Sequence, residues 1–343
     1  MAKQSSNTNL HKAKNVKNDE FYTQLSDIEN ELRHYKDHFR NKVVYCNCDD
    51  PRVSNFFHYF SYNFEHLGLK KLIATCYKNQ DVDLFSTHDS EQAVYLEYTG
   101  DKNGNSVPDA NEIGVQPLQG DGDFRSPESI ELLQQADIVV TNPPFSLFRE
   151  YVSQLIQYNK KFVLIGNKNI ITYKEIFKLI KEDKMWVGNT PMSTDMLFDV
   201  TENYAKELVE KKKEGSGYKI VGDVVKGRAQ ANWFTNLDID KRHEDLILHK
   251  KYSPEEYPSY DNYDAINVDK TKDIPFDYAG PMGVPITYLD KYNPEQFEIL
   301  GLSASAGYSQ EIVGIPFLGN KDARPLINGK NTYARIFIKN KKP

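Results

Sequence analysis

Asn142-Pro143-Pro144-Phe145 directly follows the apolar run Asp137-Ile-Val-Val-Thr141, and these four residue types in this order suit chemistry on an amino group. An exocyclic amino nitrogen such as adenine N6 is a poor nucleophile, because its lone pair is delocalised into the ring. The carboxamide oxygen of Asn142 and the carbonyl of Pro143 can each accept one hydrogen from such a nitrogen. That draws the nitrogen towards a tetrahedral geometry and frees its lone pair to attack a methyl group. Consecutive prolines fix φ, and Pro143 pushes Asn142 into an extended conformation, so the acceptors are set in advance. Phe145 offers a flat face for stacking the base. A base inside a duplex cannot reach such a pocket and must be flipped out. The plain alternative is a Pro-Pro turn over a buried strand; an Asn before it and an aromatic after it weigh against that.

Transfer also needs the donor in line and within near-attack distance. Asp121-Gly-Asp123-Phe124 stands one strand before the catalytic loop, ahead of Ser126-Pro127. Asp123 suits the adenine amino group of S-adenosylmethionine and Phe124 its ring; a turn plus helix start is the other reading. Phe21-Tyr22-Thr23 suits the methionine end, where an aromatic face favours a sulfonium cation. The mechanism requires no metal. Asp101, Asn103, Asn105, Asp109 and Glu112 have calcium-loop spacing, but Ser106 stands where such loops need glycine, so a hairpin tip is expected. Trp233-Phe234 is either a further face for the flipped base or a core pair.

The elements that must position these residues alternate between strand and helix. Strands are expected at Lys42–Cys46, Lys71–Thr75, Asp137–Thr141 and Lys161–Ile165, with helices at Val53–His66, Ser126–Gln135, Leu147–Tyr158 and Tyr173–Glu182. Continuous apolar strands between helices predict an α/β fold with a doubly wound, largely parallel sheet. Ligands of such sheets bind beyond the carboxyl ends of the strands, where Asn142 falls. Ala93–Thr99 and Ile113–Leu118 read as two strands joined by the polar loop. Beyond residue 185 the pattern loosens, with strands expected at Ile220–Val225 and Asn232–Leu237. After Asp240 the chain is rich in Tyr, Pro, Asp and Asn, which predicts recognition surfaces on loops and short strands.

The 343 residues are 39% hydrophobic and 27% charged, the composition of a soluble globular protein. Net charge is −6. This does not exclude nucleic acid, because DNA affinity comes from local basic surface. Residues 1–18 carry Lys3, Lys12, Lys14 and Lys17 and no acidic residue, so they are either a solvated tail or a basic arm that orders against phosphates. Three cysteines give no disulfide framework and no metal-site spacing, and no apolar stretch is long enough for a signal peptide or a membrane span. A cytoplasmic protein is expected. The domains expected are the arm 1–18, a catalytic domain 19–240 and a DNA target-recognition region 241–343.

The chain resembles the EcoRI-type adenine-N6 DNA methyltransferases of restriction–modification systems. The likeness runs through Asp19–Thr23, Val43–Phe56, Asp121–Arg125, Thr141–Arg149, Tyr260–Val268 and Gly283–Ile286. It implies S-adenosylmethionine as donor, double-stranded DNA as substrate, base flipping, GAATTC as target, and a cognate restriction endonuclease as possible partner. It places the catalytic loop at Asn142, Pro143, Pro144 and Phe145. The donor site it implies comprises Phe21, Tyr22, Thr23, Cys46, Asn47, Cys48, Asp49, Asp50, Pro51, Asp123 and Phe124. Two features depart from the wider methyltransferase pattern. The loop Asn47–Pro51 holds no glycine for close backbone approach, and the second strand ends in Thr75 and Cys76 rather than an acidic residue. The same acceptor loop would serve cytosine N4 or a protein glutamine. Cytosine C5 chemistry needs a cysteine nucleophile, and none lies in that loop. A DNA-binding regulator that no longer holds the donor is the non-enzymatic alternative.

Overall fold

Strands in the middle of a parallel sheet must be apolar on both faces, and Val43–Cys46 and Ile138–Thr141 are buried at every position. The computed structural model describes residues 23–48, 54–76, 93–105, 108, 112–303, 310–318 and 324–343. The basic arm 1–18, Phe21, Tyr22 and Asp49–Pro51 lie outside these described residues. The chain divides into two units. The first holds the described residues up to Asn167 together with Thr194–Leu237; the second holds Lys168–Ser193 and the residues from Asp238 onward.

The first unit is built on β1 (Val43–Cys46), β2 (Lys71–Thr75), β3 (Val94–Tyr98), β4 (Gly114–Pro117), β5 (Ile138–Thr141), β6 (Lys161–Asn167) and β7 (Ala231–Thr235). Their order in the sheet is β4-β3-β2-β1-β5-β6-β7. The central β2-β1-β5-β6 are mutually parallel, whereas β3, β4 and β7 pair antiparallel. The chain steps from β1 outwards to β2, then returns to lay β5 on the other side of β1. The crossovers β1→β2 and β5→β6 therefore run in opposite directions, and the right-handed rule puts their helices on opposite faces. Strand order reverses between β1 and β5, so the crevice at their carboxyl ends is the expected ligand site.

Helix Phe148–Gln157 shows how the sheet is covered. Phe148, Tyr151, Val152 and Leu155 recur at three- and four-residue spacing and are all buried. Each contributes on the order of 1.5–3 kcal/mol by leaving water. Helix Pro127–Gln135 begins where a Ser-Pro start signal predicts it, with the Ser126 hydroxyl accepting from Ser129 N at 3.2 Å. The expected helix Val53–His66 is two helices, Asn55–Tyr62 and Phe64–Leu67, broken at Asn63, whose side chain bonds Tyr59 O at 2.8 Å. The Asn63 amide bonds the same carbonyl at 3.1 Å, so the residue caps the helix it ends with both its backbone and its side chain.

Ile220–Val225, expected as one strand, is instead the tip of a hairpin. Tyr218–Val221 and Val224–Ala229 pair antiparallel around Gly222, whose φ is +62°, and Met196–Phe198 completes a three-stranded sheet. Helix Glu202–Lys211, capped by Thr201, was not foreseen. The polar loop 101–112 does join two antiparallel strands. Asp101 Oδ1 accepts from Gly104 N at 2.7 Å, and the buried Glu112 accepts from Lys102 N at 2.7 Å and Asn103 N at 3.1 Å. Ser106 and Asp109 lie outside the described residues.

In the second unit, Ile266–Asn267, Met282–Pro285, Arg335–Asn340 and Phe297–Ser303 form a four-stranded sheet in that order. Phe337 of this sheet packs with Tyr260 and Tyr263. Sequence patterning predicted only loops and short strands here. Among the described residues no helix is long and apolar enough to cross a membrane.

Candidate active site

Asn142 follows β5 at the switch point, and its side chain is only 3% exposed. Pro143 and Pro144 are buried too, while Phe145 is half-buried and opens a short helical turn, Phe145–Leu147, leading into helix Phe148–Gln157. The turn is closed by Leu147 N donating to Pro144 O at 3.0 Å. An extended Pro-Pro segment therefore joins a buried strand to a buried helix, which holds the Asn142 carboxamide at the carboxyl edge of the sheet.

Asn47 stands beyond β1, next to β5 in the sheet. The Thr141 hydroxyl, one residue before Asn142, donates to the Asn47 carbonyl, and the Tyr151 hydroxyl donates to Asn47 Oδ1. Both oxygens of Asn47 are thus held by the strand and helix that flank the Asn142 loop. Burial raises the pKa of Tyr151 well above the ordinary phenol value, so it stays a neutral donor. The Tyr151 ring also meets Phe124 edge-on, with centroids 5.0 Å apart.

Cys46 is buried at the end of β1, and Cys48 has a φ of +86°. A left-handed backbone is where glycine sits without cost, so the loop makes a glycine-like turn although it contains no glycine. The end of β2 is likewise structural rather than open. Thr75 is buried and shares a 2.8 Å hydrogen bond with Tyr45.

Asp123 is 8% exposed and Phe124 is buried beside it. Arg125 grips the Asp123 carboxylate with two bonds, Nε to Oδ1 at 2.9 Å and a terminal nitrogen to Oδ2 at 2.6 Å. Its remaining nitrogen reaches both Glu150 oxygens at 3.2 Å, and hydrogen bonding to Asp123 raises the guanidinium pKa further. Gln154 Nε2 bonds Phe124 O at 3.0 Å. The helix after the Asn142 loop thus anchors the Asp123-Phe124 segment through Glu150, Tyr151 and Gln154.

Thr23 is joined to the start of helix Asn55–Tyr62, its carbonyl accepting from Asn55 Nδ2 at 2.8 Å. Its buried hydroxyl has no hydrogen-bond partner among the described residues. A buried hydroxyl without a partner is costly, and a bound polar ligand would satisfy it. Trp233 and Phe234, by contrast, are both 0% exposed core residues, packed edge-on against Phe56 and Phe148. Neither presents a face to a base. Among the described residues no group of three or more His, Cys, Asp or Glu is placed to hold a metal ion.

Residues 9–341 match the family described as adenine-specific methyltransferase EcoRI. The chain belongs to that family. It is 52% identical over 345 residues to the type II methyltransferase M.EcoRI of Escherichia coli, covering 100% of this chain and 99% of that one. M.MgeORF184P of Mycoplasma genitalium is 39% identical, over 96% of this chain and 98% of its own. M.MpnI of Mycoplasma pneumoniae is 37% identical, over 96% and 97%. No solved structure gives a significant match. As a member of the EcoRI methyltransferase family, the protein is an adenine-specific DNA methyltransferase.

Sequence reading of this methyltransferase missed Tyr151, Thr141, Arg125 and Glu150. A signal existed for Tyr151, because a tyrosine in the buried stripe of a helix needs a partner for its hydroxyl. Tyr151→Phe keeps the ring against Phe124 and leaves Asn47 Oδ1 buried without its donor. The expected result is donor affinity weakened about tenfold, within the 1–3 kcal/mol cost of an unsatisfied buried acceptor, with kcat at saturating donor nearly unchanged. Titration of the methyl donor by calorimetry checks this, and an unaltered Kd would show that the Tyr151–Asn47 bond has no part in holding the donor.

Proposed function

We propose that this enzyme transfers the methyl group of S-adenosylmethionine to N6 of one adenine in GAATTC, flipped out of duplex DNA. The observation that carries the reading is the hydrogen bond from Thr141 to Asn47, which ties the Asn142 loop to the loop beyond β1 at the switch point of the sheet. Two loops held side by side there can present an acceptor nitrogen and a donor to each other within reacting distance.

The residues present fit this donor. The Thr23 hydroxyl, without a hydrogen-bond partner among the described residues, the clamped Asp123 carboxylate and the Phe124 ring offer a hydroxyl, an anion and an aromatic edge. Thr23, Asn47, Asp123 and Phe124 would hold it, together with Phe21, Tyr22, Cys46, Cys48 and the stretch Asp49–Pro51. When bound, the donor supplies an electrophilic methyl carbon on a sulfonium. Asn142 Oδ1 and Pro143 O accept the two N6 hydrogens and turn the nitrogen lone pair towards that carbon. Phe145 stacks on the extruded base, and the buried prolines keep both acceptors from moving as N6 changes geometry. Arg125 holds the Asp123 carboxylate in a fixed orientation for an adenine amino group.

Residues 241–343 carry target recognition in this reading, and residues 1–18 add phosphate contacts. The protein works in the cytoplasm beside a restriction endonuclease that cuts the same site. Incubation with labelled S-adenosylmethionine and duplexes containing or lacking GAATTC, followed by nucleoside analysis, tests the proposal. Label in N6-methyladenine with the GAATTC duplex alone is expected. Label on both duplexes would overturn the target, and label in another nucleoside the reaction.

A further inference from the structure

Residues 324–343 include Arg324, Lys330, Arg335, Lys339, Lys341 and Lys342 and no acidic residue, in a chain whose net charge is −6. Within this stretch Leu326–Ile327 and Lys330–Asn331 form a two-stranded hairpin. Its two-residue turn, Asn328-Gly329, has φ values of +50° and +70°, the turn type that matches strand twist. A hairpin this short has little stability of its own.

Here it is held from below. Asp261 accepts from Asn328 N at 3.3 Å and Gly329 N at 2.7 Å, and its own amide donates to Leu326 O at 2.8 Å. The buried Asn262 accepts from Leu326 N at 2.9 Å and donates to Arg324 O at 2.9 Å. Pro325 O takes the Thr332 amide at 2.8 Å. Asp261-Asn262 thus clamp the backbone on both sides of the turn.

Ile327 packs against the cluster of Tyr260, Tyr263 and Phe337, and the other side of the hairpin is open. Lys330 and Asn331 are exposed, and Tyr333 is 86% exposed, the most of any large hydrophobic side chain described. Beside it lies a cleft of about 520 Å³ lined by Arg324, Asn331, Thr332, Tyr333 and Ala334. Among the described residues, a guanidinium, a carboxamide, a hydroxyl and a phenol line this cleft, with no carboxylate. Leaving a tyrosine in water while spending six hydrogen bonds on the backbone beneath it makes sense for a surface that docks on something.

We infer that the hairpin Leu326–Asn331 with Arg324 and Tyr333 is a base-reading element that enters the major groove of the DNA substrate. The groove admits a two-stranded ribbon. A carboxamide suits the adenine edge and a guanidinium the guanine edge, both of which GAATTC offers, while Lys330 meets phosphate. The inference rests on DNA being the substrate, and it holds for whatever site the enzyme methylates.

The test compares kcat/KM on the methylated duplex with kcat/KM on the same duplex carrying one substituted base pair. Asn331→Ala with Tyr333→Ala should lower that ratio about ten- to a hundredfold, with donor Kd and Tm unchanged, since both side chains are exposed. Asp261→Ala, which frees the turn without removing a reading side chain, should lower the ratio in the same direction. A ratio equal to wild type in the double variant would overturn the assignment. So would an equal loss on both duplexes, which is the mark of phosphate contact alone. Absence of label from the donor in wild type would instead count against S-adenosylmethionine, and is seen before any variant is made.

Discussion

Asn142→Ala is expected to lower single-turnover methyl transfer by about 10²–10³, in the range found when one preorganised transition-state hydrogen bond is removed. Duplex binding and donor binding should persist. The reason lies in what the side chain does and does not support. Asn142 is buried at the end of β5, but the turn that follows is closed by backbone, from Leu147 N to Pro144 O, and the tie to Asn47 comes from Thr141. Removing the carboxamide takes away the oxygen proposed to accept from N6 and leaves both of those ties in place. The base would still be flipped and stacked, yet N6 would remain conjugated to its ring and a poor nucleophile. Asn142→Asp keeps an acceptor oxygen at the same place and should retain more activity than the alanine variant. Rapid-quench assays with enzyme in excess over duplex distinguish the outcomes. Equal rates for wild type and Asn142→Ala would remove this residue from the chemistry, and joint loss of DNA binding and rate would make its role structural.

The stiff exit from β5 at Asn142–Phe145 was legible because its signal is local: two prolines after a continuous apolar strand can only be a stiff exit from a sheet. The central strands were legible for a similar reason, since Val43–Cys46 and Ile138–Thr141 leave no face for water. What sequence could not supply is whatever depends on a partner far along the chain. Tyr151 reads as one more member of a buried stripe until Asn47 is placed against its hydroxyl. Cys48 reads as an odd residue in a glycine-poor loop, and only its φ of +86° reveals that the glycine-like turn survives. The hairpin at Val221-Gly-Asp-Val224 was hidden because apolar residues run up to the turn on both sides, so pattern alone gave one strand. The four-stranded sheet of the second unit was missed for a different cause. Its strands are separated by long polar segments, and strand Phe297–Ser303 is interrupted by a register shift between Ile299 and Gly301.

Gly122→Ala should be the most damaging small substitution near the residues proposed to hold the donor. Gly122 has a φ of +76°, and a Cβ there would lie 2.2 Å from the carbonyl oxygen of Cys76 and 3.1 Å from Ala93 Cβ. An L-residue in that conformation costs roughly 1–2 kcal/mol by itself. The clash adds more, because its partner is backbone at the end of β2 and cannot rotate away. The segment must lift, and the next residues are Asp123 and Phe124. The expected result is a donor Kd raised at least tenfold and stability lowered by about 2–4 kcal/mol, with the Asn142 loop still in place. Gly104 supplies the control. Its φ is +77°, nearly the same, but nothing lies within 4 Å of the point where a Cβ would stand. Gly104→Ala therefore carries the conformational cost alone and should lower stability by only about 1 kcal/mol while leaving donor affinity intact. Thermal unfolding and donor titration of the two variants side by side separate strain from displacement. If both lose the same stability and neither loses donor affinity, the close approach of Gly122 to Cys76 does not position Asp123. If only Gly122→Ala loses the donor, that approach does for this enzyme what a glycine-rich loop beyond the first strand would otherwise do.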